Sequence, residues 1–265
     1  MATQTYSTLA LENPAALVLQ VTLNRPEVSN AFNTQMASDL VDFFESLAMD
    51  PGDTRCVIIT GAGDKSFCAG GDLKERDGMS NELWKRQHLV YERMIRAIVD
   101  CPIPVIAAVN GAAFGGGCEL AAAVDFVYAA QSARFALPET SLGIIPGAGG
   151  TQTLARALGE RRAKELILSA RRFSAEEACR WGLVNAVFPL EQLLRETIQT
   201  ASQIAANAPI AVRQAKQSIH RGLQMSLADG LAFEIEAYNR TVPTNDRLEG
   251  VRAFNQKRAA VFKGN

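Results

Sequence analysis

Gly111-Ala-Ala-Phe-Gly-Gly-Gly-Cys-Glu119-Leu120 follows the apolar run Val105-Ile-Ala-Ala-Val-Asn110 and leads into Ala121-Ala-Ala-Val124. A buried strand, a glycine turn and a short apolar helix in succession form one unit of a parallel-sheet α/β protein. Three consecutive glycines suit neither helix nor strand, each costing about 0.5–1 kcal/mol relative to Ala in a regular element. Placed just before a helix, they expose backbone N–H groups where the helix start already favours negative charge. That is the raw material of an oxyanion hole. Leu137-Pro138-Glu139 and Gly143-Ile-Ile-Pro-Gly-Ala-Gly-Gly150-Thr151 follow, so residues 111–151 hold eight of the 20 glycines.

The same alternation extends upstream. Residues 15–24 read as a strand stopped by Arg25-Pro26, and Thr34–Met49 as a helix with Met36, Leu40, Phe43, Phe44 and Leu47 on one face. Cys56–Gly61 reads as a buried strand, and residues 81–100 as a long amphipathic helix ended by Cys101-Pro-Ile-Pro104. Residues 125–130 and 134–137 complete the strands. From Thr151 the pattern turns helical, over 151–158, 160–169, 174–181, 190–207, 209–222, 226–241 and 245–262, apart from an apolar piece at 183–188. Ser174-Ala-Glu-Glu177 is a capping box, and Pro209 and Pro243 mark breaks. The reading is an α/β core over 1–200 and a helical region over 201–265, packed on the core or on a neighbouring subunit.

Composition narrows the function. The 265 residues are 48% hydrophobic and 21% charged with a net charge of −1, which gives nucleic acid or an anionic membrane no electrostatic hold. Five scattered cysteines (56, 68, 101, 118 and 179) without a Cys-x-x-Cys pair point to reduced thiols, with neither disulfides nor zinc. No Lys or Arg precedes Arg25, so a secretory signal and a transit peptide are not expected, and no apolar run is long enough to span a bilayer. A soluble, cytoplasmic protein is expected.

Several chemistries have no motif. There is no Gly-x-Ser-x-Gly elbow, and His88 and His220 fall on helices away from the glycine loops, which assigns them surface or packing roles. Gly61-Ala-Gly-Asp-Lys-Ser66 lacks the Walker A spacing, no dinucleotide fingerprint links a strand to a helix, and no cluster has metal-ligand spacing. A second glycine loop remains, Ser66-Phe-Cys-Ala-Gly-Gly-Asp-Leu-Lys74, together with Glu119 and Glu139. If adjacent strands bring both loops to one sheet edge, the carboxylates form an acid–base pair and the amides of Gly71 and Gly116 hold an anionic oxygen. Otherwise Glu119 is a favourable charge at a helix start, Glu139 a solvated turn residue, and the glycines tight turns.

Asn24-Arg-Pro-Glu-Val-Ser-Asn-Ala31, Phe67-Cys-Ala-Gly-Gly-Asp-Leu-Lys74, the stretch 110–119, Leu137-Pro-Glu139 and 143–152 resemble, in order and register, the crotonase (enoyl-CoA hydratase/isomerase) superfamily. The resemblance implies the crotonase (ClpP-like) fold, a stacked ββα superhelix with an all-helical C-terminal region. Glutamate at both positions matching Glu119 and Glu139 implies a hydratase that adds water syn across the double bond of a 2-enoyl-CoA. Glu119 would activate the water, Glu139 would protonate C2, and Gly71 and Gly116 would hold the thioester oxygen. It further implies CoA contacts from Arg25, Ala69, Asp72, Leu73 and Lys74, and from Phe254 and Lys257 of a neighbouring subunit in a trimer or hexamer. No metal and no cofactor beyond the substrate's own CoA are expected. Glu27 departs from the family, where many relatives carry a basic residue. The stretches 68–76, 163–171 and 241–250 look most like the methylglutaconyl-CoA hydratase branch, which acts in leucine breakdown. A member of that branch binds AU-rich RNA through a lysine-rich helix. The matching helix here is acidic, so RNA binding stands only as a different-class alternative, beside a Δ3-Δ2 enoyl-CoA isomerase.

Overall fold

The computed structural model describes residues 5–265. The chain starts with a hairpin, β1 (Leu9–Ala15) and β2 (Val18–Leu23), then the helix α1 (Thr34–Met49) and the strand β3 (Cys56–Gly61). A short strand β4 (Ser66–Cys68), one helical turn α2 (Leu73–Arg76) and the long helix α3 (Asn81–Val99) follow. The unit repeats as β5 (Val105–Val109), β6 (Ala112–Phe114) and α4 (Gly116–Ala123), then as β7 (Phe126–Ala130) and β8 (Arg134–Ala136). Next come α5 (Gly150–Leu158), α6 (Glu160–Ser169), β9 (Phe173–Ser174), α7 (Ala175–Trp181) and β10 (Ala186–Phe188). Four helices close the chain: α8 (Leu190–Ala205), α9 (Pro209–Gly222), α10 (Leu227–Asn239) and α11 (Asn245–Asn255).

Two sheets result. The larger has the order β1-β2-β3-β5-β7-β10 and is parallel apart from the first hairpin. The smaller has the order β4-β6-β8-β9, with β4, β6 and β8 parallel. Each repeat crosses from the large sheet to the small one and returns through a connecting segment, which winds the stacked ββα superhelix expected above. The apolar runs at β3 and β5 are buried at every position, as strands covered on both faces must be. Leu40 and Phe44 of α1 and Met94 and Ile98 of α3 pack into the same core.

Four differences from the sequence reading have physical causes. Residues 9–14 form part of a strand, hidden in the sequence because β1 is a mostly exposed edge strand whose Pro14 falls at a register shift. β4 and β6 are three residues each and lie inside what read as glycine loops. The last helix stops at Asn255 rather than 262, because Asp246 at its start accepts from Lys263 N (2.7 Å) and Gly264 N (2.8 Å) and holds the tail folded back. Residue 200 falls within α8, which buries Leu193, Thr197, Ala201 and Ala205. Beyond it, α9 is tied down by Lys216, whose ammonium donates to Asp125 (2.6 Å) and to the Ile103 carbonyl (2.9 Å). Among the described residues no helix is long and apolar enough to cross a membrane.

Candidate active site

Three neighbouring parallel strands build the site. Pairing sets Cys68 of β4 beside Ala113 of β6, and Phe114 of β6 beside Ala136 of β8. The segments that leave them, Ala69-Gly70-Gly71, Gly115-Gly116 and Leu137-Pro138-Glu139, therefore emerge side by side, where parallel sheets place their ligands. Gly70 has φ +91°, and a Cβ there would stand 2.7 Å from the Phe114 carbonyl and 2.9 Å from Gly116 N. Only glycine lets the two loops close on each other. The sequence motif at 24–31 is the brace behind them. Asn30 donates to the Ala62 and Ser66 carbonyls, and Ala69 N donates to the Ser29 carbonyl. Phe32 N donates to the Gly70 carbonyl, while its own carbonyl accepts from Asp72 N and from the Tyr91 hydroxyl.

Two amides are left over. Among the described residues Gly71 N–H donates to no backbone carbonyl, and Gly116 is the first residue of α4, whose N–H has no intrahelical acceptor. Both glycines line one cleft of about 790 Å³ together with Glu119 and Glu139. This is the arrangement that the sequence left conditional.

The two carboxylates are held differently. Glu119, in the first turn of α4, is 3% exposed and accepts at Oε1 from Ala148 N and Gly150 N, each at 2.8 Å. Its carboxyl is pushed up to about 7, chiefly by burial and further by the charge of Glu139, against the pull of those two amides. Glu139 opens a 3-10 turn after β8 and is 8% exposed. Burial raises its pKa too, and among the described residues its Oε2 has no protein hydrogen-bond partner. A bare buried carboxylate oxygen favours the protonated form, whereas two amide donors favour the ionised one. Glu139 Oε1 would lie 3.0 Å from a Cβ on Gly115, so this carboxyl sits directly against the second glycine loop. Cys118, adjacent in sequence, is fully buried and its thiol is pushed far up, which rules it out as a nucleophile.

The expected CoA contacts divide into two groups. Ala69 and Leu73 line the cleft. Arg25 does not. Its guanidinium is engaged by the Ala31 carbonyl (2.6 Å) and Asp72 (3.0 Å), and Asp72 also caps α2 by accepting from Lys74 N and Glu75 N. Lys74 is exposed outside the cleft, as are Phe254, at 84% exposure, and Lys257, just past α11.

One expectation is corrected. His88 does not lie away from the glycine loops: it lines the cleft, with its ring against Gly147 so closely that a Cβ there would overlap it. Arg76, Trp84 and Tyr91 line the cleft as well and were not singled out from the sequence. Trp84, His88 and Tyr91 recur at helical spacing on α3, one polar and aromatic stripe that the sequence does display.

Two free amides and two buried carboxylates in one cleft are an arrangement that can hold a developing negative oxygen while moving protons. The chain belongs to the enoyl-CoA hydratase/isomerase family, whose model matches residues 13–265. It is 47% identical over 244 residues to the Bacillus subtilis protein YngF, covering 92% of this chain and 94% of that one. It is 41% identical over 241 residues to a short-chain-enoyl-CoA hydratase of Clostridium acetobutylicum, covering 91% and 92%. The crystal structure of an enoyl-CoA hydratase from Bacillus anthracis superposes with a TM-score of 0.96 at 44% identity, over 98% of this chain and 100% of that one.

Proposed function

We propose that the cleft adds water across the double bond of a 2-enoyl-CoA thioester to give a 3-hydroxyacyl-CoA. The observation that carries this is the convergence of Glu119 and Glu139 with the two unpartnered amides in one cleft. Attack of water at C3 drives an electron pair through the conjugated system onto the thioester oxygen. The N–H groups of Gly71 and Gly116 receive that charge, each donor contributing roughly 3 kcal/mol in the transition state. Glu119, steadied by the Ala148 and Gly150 amides, takes the proton of the attacking water. Glu139, whose free oxygen favours the neutral acid, gives a proton to C2. Both groups line one cleft, and delivery of water and proton to the same face of the double bond makes the addition syn. The pair handles one water jointly, so the acid and base roles belong to the pair as much as to either residue.

Water addition needs both a proton acceptor and a proton donor beside the substrate, whereas moving a double bond from Δ3 to Δ2 needs one carboxylate over the same oxyanion hole. Two buried glutamates favour the hydratase over the isomerase. The acyl chain enters as a CoA ester between Ala69 and Leu73, with the exposed Lys74 ammonium available to the CoA phosphates. The reaction uses no metal and no cofactor beyond that CoA. Breakdown of fatty acids or of the leucine skeleton is the setting that fits such a substrate.

The assembly belongs to this proposal. Ile219, Leu223, Leu227, Tyr238 and Phe254 of the C-terminal helices are all more than half exposed, a concentration of apolar surface that fits burial against further copies of the chain. A trimer or a dimer of trimers would bring Phe254 and Lys257 to a neighbour's CoA. The direct test of function is loss of enoyl-thioester absorbance when crotonyl-CoA is added. Hydration bleaches it, and failure to hydrate conjugated enoyl-CoA of any chain length sinks the reading.

A further inference from the structure

Phe32 stands between the two glycine loops and holds each by a different part of itself. Its backbone brackets the first loop. The Phe32 N–H donates to the Gly70 carbonyl (2.9 Å), its carbonyl accepts from Asp72 N (3.0 Å), and Phe32 pairs with Gly71 in a parallel bridge. Gly71 lies between those two bonds, so the direction of its N–H follows the Phe32 backbone. The ring faces the second loop. A Cβ on Gly116 would overlap Phe32 Cζ and stand 2.7 Å from Cε1, and the three atoms nearest to it all belong to this ring. Gly116 has no positive φ, so its backbone tolerates a side chain and the ring is what meets one.

Phe32 itself is pinned. It is 1% exposed, with the buried Asn30 at φ +55° two residues before it. Asn33 follows and caps α1 by accepting from Met36 N (2.9 Å). Tyr91 meets the Phe32 ring edge to face with centroids 4.8 Å apart, and its hydroxyl donates to the Phe32 carbonyl at 3.1 Å. Close-packed rings of this kind resist small displacements. A rigid spacer is what two converging amides need, because each donor must meet the charged oxygen at about 2.7–3.1 Å.

We propose that Phe32 is a positioning residue of the reaction, its backbone aiming the Gly71 amide while its ring fixes the separation of that amide from the Gly116 amide. This rests on the enoyl-CoA reading of the cleft. A ring that only filled space would affect stability; a spacer affects how well the hole holds negative charge. Acetoacetyl-CoA reads that charge. On losing a proton from C2 to solvent it becomes an enolate with its charge on oxygen and a near-ultraviolet absorbance of its own, so a pH titration of the bound ester gives the enolate pKa. The wild-type protein is expected to lower that pKa below its value in free solution. Phe32→Leu is expected to raise it by about one unit or more and to lower kcat for crotonyl-CoA about a hundredfold, while butanoyl-CoA binds as tightly as before. Phe44→Leu, another fully buried ring of the same core, is the control for lost packing and should leave the enolate pKa unchanged. Gly116→Ala keeps the intact ring and tests the same contact from the other side: its methyl should raise the enolate pKa, and adding Phe32→Leu should recover about tenfold of the loss.

An enolate pKa unmoved by both Phe32→Leu and Gly116→Ala overturns the proposal, and so does an equal shift in Phe44→Leu. Loss of butanoyl-CoA affinity as large as the loss of enolate stabilisation makes the ring a plain substrate contact and overturns it too. If Phe32→Leu does not fold, Gly116→Ala alone decides. A wild type that does not favour the bound enolate overturns the proposal together with the reading of the cleft. An enolate shift that depends on Phe32, in a protein that hydrates no enoyl-CoA, keeps the spacer and removes the hydratase.

Discussion

Glu119 and Glu139 are both buried, yet one has its Oε1 saturated by amides and the other has an oxygen with no protein partner among the described residues. That asymmetry carries a stability consequence. For Glu119 the folded-state pKa, about 7, lies above the ordinary value of 4.5, so the folded chain binds the proton more tightly than the unfolded one. The contribution to stability is therefore complete below 4.5 and lost as pH rises through 7. Glu119→Gln keeps an oxygen for the Ala148 and Gly150 amides without the buried charge. It should unfold at higher temperature than the wild type at pH 8, by an equivalent of up to roughly 3 kcal/mol, with the gap closing toward pH 4.5. Thermal melts across that range check it, and a gap independent of pH would refute the assignment. This is the expected tension between a strained site and stability. That both glutamates and both glycines would meet in one cleft was legible from the sequence only through the resemblance of their motifs in order and register. The partners of Glu119 were not, since Ala148 and Gly150 act through backbone amides that any residue but proline supplies.

At the scale of elements, the site depends on how closely α4 approaches β4. A Cβ on Gly117 would overlap the Cys68 carbonyl, and both groups belong to backbone that cannot swing aside. Gly71 is different: a Cβ there meets the edge of Tyr91 at 3.5 Å and the Arg76 guanidinium at 3.8 Å, both ordinary contacts with side chains, and its φ is not positive. Gly117→Ala should therefore cost about 2 kcal/mol or more through overpacking. Gly71→Ala should fold with unchanged or slightly greater stability and keep activity within about threefold, because its N–H is retained. Denaturant melts and initial rates on the two variants decide this. If Gly71→Ala abolishes turnover, the role given to its amide alone is wrong. Sequence reading recovered α1, α3, α5 and α6 closely because each carries an apolar stripe at helical spacing. β4 and β6 escaped it because three residues show no alternation. Yet these short strands, through their register, align the glycine loops. The His88 wall was missed for a related reason: a helix pattern shows which residues share a face, not which cleft that face borders.

At the scale of the molecule, the core buries its apolar surface while the C-terminal helices leave theirs in water. Leu223 and Leu227 are each 79% exposed at the α9–α10 junction. Such surface is stabilised by a partner, and the account predicts a homo-oligomer with a mass that is a multiple of three chains. Light scattering after size exclusion measures it. Leu227→Asp should shift the protein to smaller species and weaken CoA-ester binding along with the assembly, since a neighbour is proposed to supply Phe254 and Lys257. A monomeric wild type that binds its ligand fully would contradict this. The helical C-terminal region was readable from the change in periodicity that begins at residue 151. The turning back of the last ten residues was not, because it depends on one carboxylate, Asp246, gripping amides 17 and 18 positions away.

The central claim is that two glutamates share one water above two amides. It is tested most directly by measuring kcat for an enoyl-CoA in Glu119→Gln and Glu139→Gln, alongside the affinity of each variant for a saturated CoA ester. The account predicts that kcat falls at least about a thousandfold in each while the ester binds as tightly as in the wild type. Turnover near the wild-type rate in either variant would remove that glutamate from the mechanism.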